Sequence, residues 1–427
     1  MGHRSLKTGY KELSERLNRF PQGAPPTEYL FHILKVLMSE KEAHLVSQLP
    51  LRPFTVDKAS KILNLSYIDT KKSLEELASR ALLLDMETPD GDMIYMLPPP
   101  MAGFFEFSLM RVRSDIDQKL LSELFYQYLN VEEDFVRELF VTGETKLGRV
   151  FVHEPAVEKC NALTILDYER ASHIIKKASH RGVGTCYCRH KNYHVGKACD
   201  APMDICMTFG GTADSLIRHN FAREVTVSEC MELLEKAYEH NLVQIGENEQ
   251  EGVPFICNCC GCCCEALQAI KRFGTLQSIS TTNFIPAIHD DKCNGCGLCK
   301  MMCPVDAIEI TFDNSAAFNK KARIMEDTCL GCGICSKVCK RGALTLKSRE
   351  KHVITPVNSV HRIVLMAIER GKLQNLIFDN QAHTSYRAMA AVLGAILKLP
   401  PVKRLMASEQ MKSKYIVSLI QKFGCGI

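Results

Sequence analysis

Eight cysteines in two matched runs constrain this chain more than any other feature. Cys293, Cys296, Cys299 and Cys303 stand as C-x2-C-x2-C-x3-C, and Cys329, Cys332, Cys335 and Cys339 repeat that spacing 36 residues later. Asp291/Asp327, Gly295/Gly331, Gly297/Gly333 and Ala307/Ala343 recur at the same offset. An offset shared by cysteines and other residue types marks an internal duplication. Three thiols at i, i+3 and i+6 in a tight loop can reach three corners of one iron–sulfur cubane, with the glycines letting the backbone bend and turn its amides toward sulfur. The fourth ligand must come from outside that loop, because the chain has by then turned into a helix. Zinc is the competing occupant, but it usually takes two CxxC pairs rather than twin runs of this form.

The segment resembles the bacterial two-cluster ferredoxins, in which the fourth cysteine of each run ligates the other cluster. That resemblance implies two [4Fe–4S] clusters, one held by Cys293, Cys296, Cys299 and Cys339, the other by Cys329, Cys332, Cys335 and Cys303. It also implies that Ala307–Thr311 and Ala343–Leu346 pair as strands. One position departs from the pattern: Pro304 follows the first run, whereas Lys340 follows the second. A cation beside Cys339 is expected to raise that cluster's potential.

The chain has 427 residues, 21 of them cysteine, and a formal net charge of +4. Disulfide scaffolds are short, so thiols in a chain of this length point to metal in a reducing compartment. Met1 to Arg19 is polar and lacks the apolar core of a signal peptide, and the longest apolar stretches, near Ile363–Ile368 and Ala388–Leu397, are too short to span a bilayer. A cytoplasmic location is expected. The charge bias is too small to imply a nucleic-acid partner.

Ten more cysteines lie upstream in two groups. Cys186, Cys188, Cys199 and Cys206 form the first; Cys257, Cys259, Cys260, Cys262, Cys263 and Cys264 form the second. So many thiols would be fragile to oxidation unless metal or disulfide held them. They could supply the ligands of one or two further iron–sulfur clusters, which this reading favours over zinc. In an extended segment Cys186 and Cys188 would point to the same side. A dithiol that cycles as a disulfide is the alternative. His190 and His194 are near enough in sequence to ligate but are more simply surface or hydrogen-bonding residues, and Arg189 and Lys197 either stabilise cluster charge or are solvated.

Taken together, the C-x-C-R-H segment, the G-K-x-C-D segment, the run Cys257–Asn–Cys–Cys–Gly–Cys–Cys–Cys264 and the twin cysteine runs resemble a group of multi-cluster 4Fe–4S proteins of anaerobic bacteria and archaea. The resemblance is close over about residues 183–348. It implies iron–sulfur electron transfer and names no substrate.

The organisation expected is α+β and multidomain. Residues 1–100 read as a winged-helix-like domain: a helix capped by Thr27 through Leu30, Ile33, Leu34 and Leu37, a helix over Val56–Leu63, another from Asp69 to Arg80, then strands Leu82–Met86 and Met93–Leu97 around the Asp90–Gly91 turn. Pro98–Pro99–Pro100 would close it as a stiff linker. A mostly helical 101–182 follows, then a cysteine-rich 183–265 containing a helix near Val227–Glu239, a ferredoxin-type domain over 284–348, and a helical 349–427.

The leading function is an electron carrier, or the electron-transfer subunit of an oxidoreductase, working between redox partner proteins. A redox-sensing winged-helix transcription regulator is one alternative. Against it, Asp85, Glu87, Asp90 and Asp92 flank the wing without a Lys or Arg, and Lys71, Lys72 and Arg80 are balanced by Asp69, Glu75 and Glu76. An oxidoreductase with its catalytic centre in the 186–264 cysteines is the other. Gly182–Val–Gly184 and Gly210–Gly211 lack G-x-G-x-x-G, so neither flavin nor NAD is indicated. Lys403, Arg404, Lys412 and Lys414, with only Glu409 opposing, could dock an acidic partner or cap the fold as a solvated face. Cys160 and Cys230 read as buried apolar residues and Cys425 as a free thiol.

Overall fold

The fold is taken from a computed structural model that describes residues 8–88, 90–158, 165–274, 279–312, 320–379 and 384–397. Its contacts group the chain into two compact units, Met1–Thr145 with Asp214–Ala222 and Val360–Ile427, and Lys146–Ala213 with Arg223–Ser359. These borders differ from the five consecutive segments expected: residues 1–100 and 101–145 fall in one unit, and the tail belongs with them.

In the first unit, Thr27 accepts a hydrogen bond from the Leu30 amide and opens helix Glu28–Leu37, which buries Leu30, Ile33, Leu34 and Leu37 at helical spacing. Helices Val56–Leu63 and Tyr67–Ser79 lie where expected to within two residues. Two helices were not anticipated, Gly9–Leu17 and Glu40–Gln48. The second carries a readable start signal, the reciprocal capping box of Ser39 and Glu42. Strand β1 (Phe54–Thr55), β2 (Leu84–Glu87) and β3 (Met93–Met96) form an antiparallel sheet in the order β1-β3-β2, with Leu84 opposite Met96 and Glu87 opposite Met93. Residues 101–145 are largely helical, with Gln118–Tyr126 and Asp134–Phe140 the clearest.

Asp85 does not belong to the acidic face expected of the wing. It is buried, accepts from Ser215 Oγ at 2.6 Å, lies 2.9 Å from His219 Nε2 and pairs with Arg218 at 3.0 Å. Burial alone would raise its carboxyl, but the hydrogen bonds from His219 and Ser215 outweigh that and hold it well below the usual range.

In the second unit, the cysteine-rich stretch is built on a sheet, where the sequence indicates only a helix near Val227–Glu239; strand Gly148–Val150 of the same sheet also interrupts the helical 101–182 expected. Strands β4 (Gly148–Val150), β5 (Arg181–Thr185), β6 (Asp204–Phe209), β7 (Arg223–Glu224), β8 (Val243–Glu247), β9 (Phe255–Cys259) and β10 (Ile279–Ser280) run in the order β10-β4-β8-β9-β6-β5-β7. Only β10 and β4 pair in parallel. Helices Ala171–Lys177 and Val227–Glu239 bury Ile174, Ile175, Cys230 and Leu234 in a core with Val183, Met207 and Ile256. Several of these strands are short and glycine-bearing, so their period-2 signal in the sequence is weak.

The ferredoxin-type region adds β11 (Phe284–Ile288), β12 (Ile308–Phe312), β13 (Lys320–Ile324) and β14 (Leu344–Ser348). The strand after the first cysteine run does not pair with the strand after the second. Instead β12 pairs with β13 and β11 with β14, both antiparallel. Each post-motif strand is thus satisfied by the extended segment that precedes the opposite motif.

In the C-terminal part the described helices are Ser359–Glu369, Leu373–Ile377 and Thr384–Leu397. Lys403, Arg404, Glu409, Lys412, Lys414, Cys160 and Cys425 lie outside the described residues. Among the described residues no helix is long and apolar enough to cross a membrane.

Asp85 supplies a check on the first unit. Because its folded-state carboxyl is depressed, its contribution is complete above the ordinary carboxylate range and is lost as pH falls toward the folded value. Asp85→Asn is expected to cost roughly 2–3 kcal/mol, lowering the first unit's melting midpoint by roughly 5–10 °C at neutral pH. The gap to the native chain should narrow as the buffer is made acidic. Equal melting at neutral pH would refute this reading of Asp85.

Candidate metal centres

Each cysteine run of the ferredoxin-type region is a loop followed by a short helix. The helices, Leu298–Met301 and Ile334–Val338, are each opened by a left-handed glycine, Gly297 at φ 84° and Gly333 at φ 90°. Gly295 and Gly331, at 65° and 72°, repeat the device two residues earlier. At Gly331 a Cβ would also run into the carbonyl of Phe284 and the hydroxyl of Thr282.

Cys303, Cys329, Cys332 and Cys335 line one cavity, walled by Pro286, Val305, Ile308 and Leu330. Burial pushes the thiols of Cys329 and Cys332 up to about 11 and about 12, and that of Cys335 well above its ordinary value. A dry pocket of four thiols therefore opposes the thiolate form unless a positive centre compensates. Backbone groups help, since the Ala307 amide donates to Cys303 Sγ at 3.2 Å. Soft donors without oxygen or imidazole ligands, in an apolar cavity with amides aimed at sulfur, fit an iron–sulfur cluster.

The other half is more open. Cys293 and Cys299 are buried, Cys339 is partly buried against the same core, and Cys296 is exposed. The Ala322 amide lies 3.4 Å from Cys293 Sγ. Burial, then the nearby sulfurs of Cys293 and Cys296, raises Cys299 to about 11. The buried half has extra ties: His153 N donates to Cys332 O at 2.9 Å, Arg349 Nη2 to Cys329 O at 2.7 Å and Thr282 Oγ1 to Gly331 O at 2.8 Å. Lys340 is exposed.

The upstream cysteines are gathered by strand ends. Cys186 follows β5, Cys206 lies on β6 opposite Gly184, and Cys257 and Cys259 lie two apart on β9. Met207 faces Ile256, so one step along the ladder sets Cys206 beside Cys257. Cys186 and Cys188 do not sit in an extended segment. Cys186 caps helix Tyr187–His194 and Cys188 is in its first turn. Cys264 likewise caps helix Glu265–Phe273.

Sulfur contacts divide the ten thiols unequally. Cys186 meets Cys206, Cys206 meets Cys257, Cys257 meets Cys259, Cys259 meets Cys264 and Cys264 meets Cys188, a continuous string of six. Hydrogen bonds from Cys206 and Cys259 pull Cys257 down to about 6. Cys199, Cys260, Cys262 and Cys263 form the second set, with all four sulfurs within 4.8 Å of one another. The Cys263 thiol above all pulls Cys260 down to about 4.

Arg189, expected either to stabilise cluster charge or to be solvated, is buried in this field. It donates to Pro202 O at 2.7 Å and Asn258 O at 2.6 Å. Burial alone would lower its guanidinium, but the sulfurs of Cys186, Cys260, Cys206 and Cys259 push it up instead. Lys191 forms a buried ion pair with Glu265. His190 and His194 face each other with Nε2 atoms 3.2 Å apart, and neither is in the four-sulfur group. Lys197 is exposed. Cys230 is fully buried in the core, where burial raises its thiol to about 11.

The two cysteine regions share one core. Cys259, Cys264, Leu267 and Ile270 are buried together with Val305, Ala307, Cys329 and Leu330, and Cys257, Cys303 and Cys332 pack against them. Gly261 sits directly on Pro304, where a Cβ would collide with the proline backbone.

Paired cysteine loops, each turning on a left-handed glycine and closed by antiparallel strands, are the arrangement of an iron–sulfur module. Residues 292–343 match the family model of the 4Fe–4S dicluster domain. Comparison with curated proteins and with solved structures gave no match. The chain thus carries a 4Fe–4S dicluster domain together with a second cysteine-rich region.

Gly331→Ala is expected to remove about four irons and about four sulfides per chain, one cluster's content. Gly342→Ala, whose added Cβ meets nothing within 4 Å, should keep the full content. Equal iron in the two variants would show that the Gly331 approach does not matter to cluster binding.

Proposed function

We propose that this chain passes single electrons between redox partner proteins, using two [4Fe–4S] clusters and a further centre held by the 186–264 cysteines. Cys293, Cys296, Cys299 and Cys339 would hold one cluster, and Cys329, Cys332, Cys335 and Cys303 the other. Bound clusters supply one-electron redox chemistry at potentials set by charge, hydrogen bonding and exposure. The chain's own part is to hold thiolates, exclude water and place the centres in sequence.

The observation that carries the proposal is the shared core joining Cys257, Cys259 and Cys264 to Cys303, Cys329 and Cys332. It supports a route in which the half bearing the exposed Cys296 meets partners and the buried half faces the upstream field. Lys340 beside Cys339 supports unequal potentials, with the exposed half raised. The described residues supply no competing nucleotide fingerprint, which favours a carrier or an electron-transfer subunit over a self-contained enzyme.

The helix order and three-stranded sheet of the first hundred residues support the winged-helix-like reading. Leu65, Tyr67 and Ile68 are exposed at the start of helix Tyr67–Ser79. Apolar groups there favour docking to protein over binding to phosphates.

Anaerobic purification with iron and sulfide analysis and EPR of the dithionite-reduced chain tests the proposal. About eight irons with matching sulfide are expected from the ferredoxin-type region, and about twelve if the upstream field adds one cubane-sized cluster. Cys332→Ser should remove about four irons and simplify the reduced EPR spectrum. A chain whose iron comes with no sulfide at all, or that gives no signal on reduction, would overturn it.

A further inference from the structure

The ten upstream thiols need not serve one kind of centre, and their spacing separates them. Cys199 and Cys260 have sulfurs 3.6 Å apart, Cys262 and Cys263 3.7 Å, and Cys263 and Cys199 3.9 Å. A metal ion bonded to four thiolates at about 2.3 Å sets tetrahedral edges of about 3.8 Å. The observed distances are close to that edge. Thiolates on a cubane each bond a different iron, so their sulfurs stand farther apart. Among the described residues this is the only group with three or more ligand atoms mutually within 4.8 Å. The other six thiols form a string rather than a knot.

We propose that Cys199, Cys260, Cys262 and Cys263 bind one mononuclear divalent metal ion in a tetrahedral four-thiolate site, separate from any iron–sulfur cluster. This deepens the reading of the 186–264 cysteines as a metal-binding field, on which it rests. A tetrahedral S4 donor set selects zinc, or iron without sulfide, over harder ions. The site is closed, with four protein ligands and no position left for a substrate, as in structural zinc sites. Its role is mechanical: it pins the 260–263 turn to the loop carrying Cys199. That turn contains Gly261, which rests on Pro304 beside Cys303. The ion would therefore fix the cysteine-rich region against the ferredoxin-type region without carrying an electron. Cys260, Cys262 and Cys263 are thereby removed from the ligands available to a cluster, leaving Cys186, Cys188, Cys206, Cys257, Cys259 and Cys264, which are drawn into the sheet and its capping turns.

The test is elemental and sulfide analysis of the full chain, purified anaerobically, with Cys262→Ser and Cys332→Ser beside it. Cys262 is the exposed member of the four, so its substitution leaves the core intact. The native chain should contain one zinc, or one high-spin iron unaccompanied by sulfide. Cys262→Ser should lose that ion and keep its cluster iron, its sulfide and its reduced EPR signal. Cys332→Ser should keep that ion and lose about four irons with their sulfide, leaving a simplified reduced EPR signal. Loss of iron and sulfide together in Cys262→Ser would overturn the proposal by placing a cluster there, and no metal loss at all would overturn it by showing free thiols or a disulfide. Absence of the EPR signal from the native chain would count against the electron-transfer reading alone, because the zinc count is independent of it.

Discussion

Negative charge on sulfur, drawn out of water, is the constraint around which the second unit is arranged. A thiol buried in an apolar pocket holds its proton, as the upward shifts of Cys329, Cys332 and Cys335 show. A thiolate ligand must therefore be stabilised by something the fold provides. Three devices are visible. Backbone amides point at sulfur beside Cys303 and Cys293. Neighbouring thiols donate to one another along the string from Cys186 to Cys188. Arg189, buried among Cys186, Cys206, Cys259 and Cys260, brings a full positive charge into the field. A lysine would deliver charge as well, but from one nitrogen on a flexible stem, not from the fixed fork whose two nitrogens tie Pro202 and Asn258 around the site.

The sheet turns this local chemistry into an assembly. Antiparallel pairing of β5, β6 and β9 brings Cys186, Cys206 and Cys257 to adjoining strand positions although they are far apart in sequence. The period of two along β9 sets Cys257 and Cys259 on one face and leaves Asn258 on the other, where its side chain donates to Ile205 O and accepts from Gln244. Helix Glu265–Phe273 leaves the last cysteine and buries Leu267 and Ile270 beside Val305 and Leu330. One apolar contact surface thus carries both the scaffold of the upstream thiols and one half of the ferredoxin-type region.

What could be read from sequence was local. The twin runs, their glycines and the helices at Thr27, Val56–Leu63 and Val227–Glu239 are encoded in short windows by spacing and capping. Pairings across long separations were not legible. The resemblance to two-cluster ferredoxins implied β12 opposite β14, yet each hydrogen-bonds to a segment that carries no cysteine. The seven-stranded sheet escaped for a related reason: β5 is Arg–Gly–Val–Gly–Thr, with little alternation to recognise, and it is stabilised by neighbours on both sides. Cys199 is 61 residues from Cys260, and no motif joins them. Asp85 was misread for the same cause, since its partners Ser215, Arg218 and His219 lie about 130 residues on.

Duplication makes the two ferredoxin-type halves alike in backbone, but their surroundings make them unlike in environment. Gly331 is pressed against Phe284 and Thr282, and its loop is held from outside by His153, Thr282 and Arg349. At the matching Gly295 the three atoms nearest an added Cβ all belong to Lys320 of the β12–β13 hairpin, and Cys296 is exposed. Exposure and charge are among the levers that set cluster potential. Here both act on the half that carries Cys296, Cys339 and Lys340, while the half beside Pro304 is dry and leans on the upstream field. The two halves therefore offer environments of different hydration and charge, and that asymmetry comes from the packing around the repeat, not from the repeat itself.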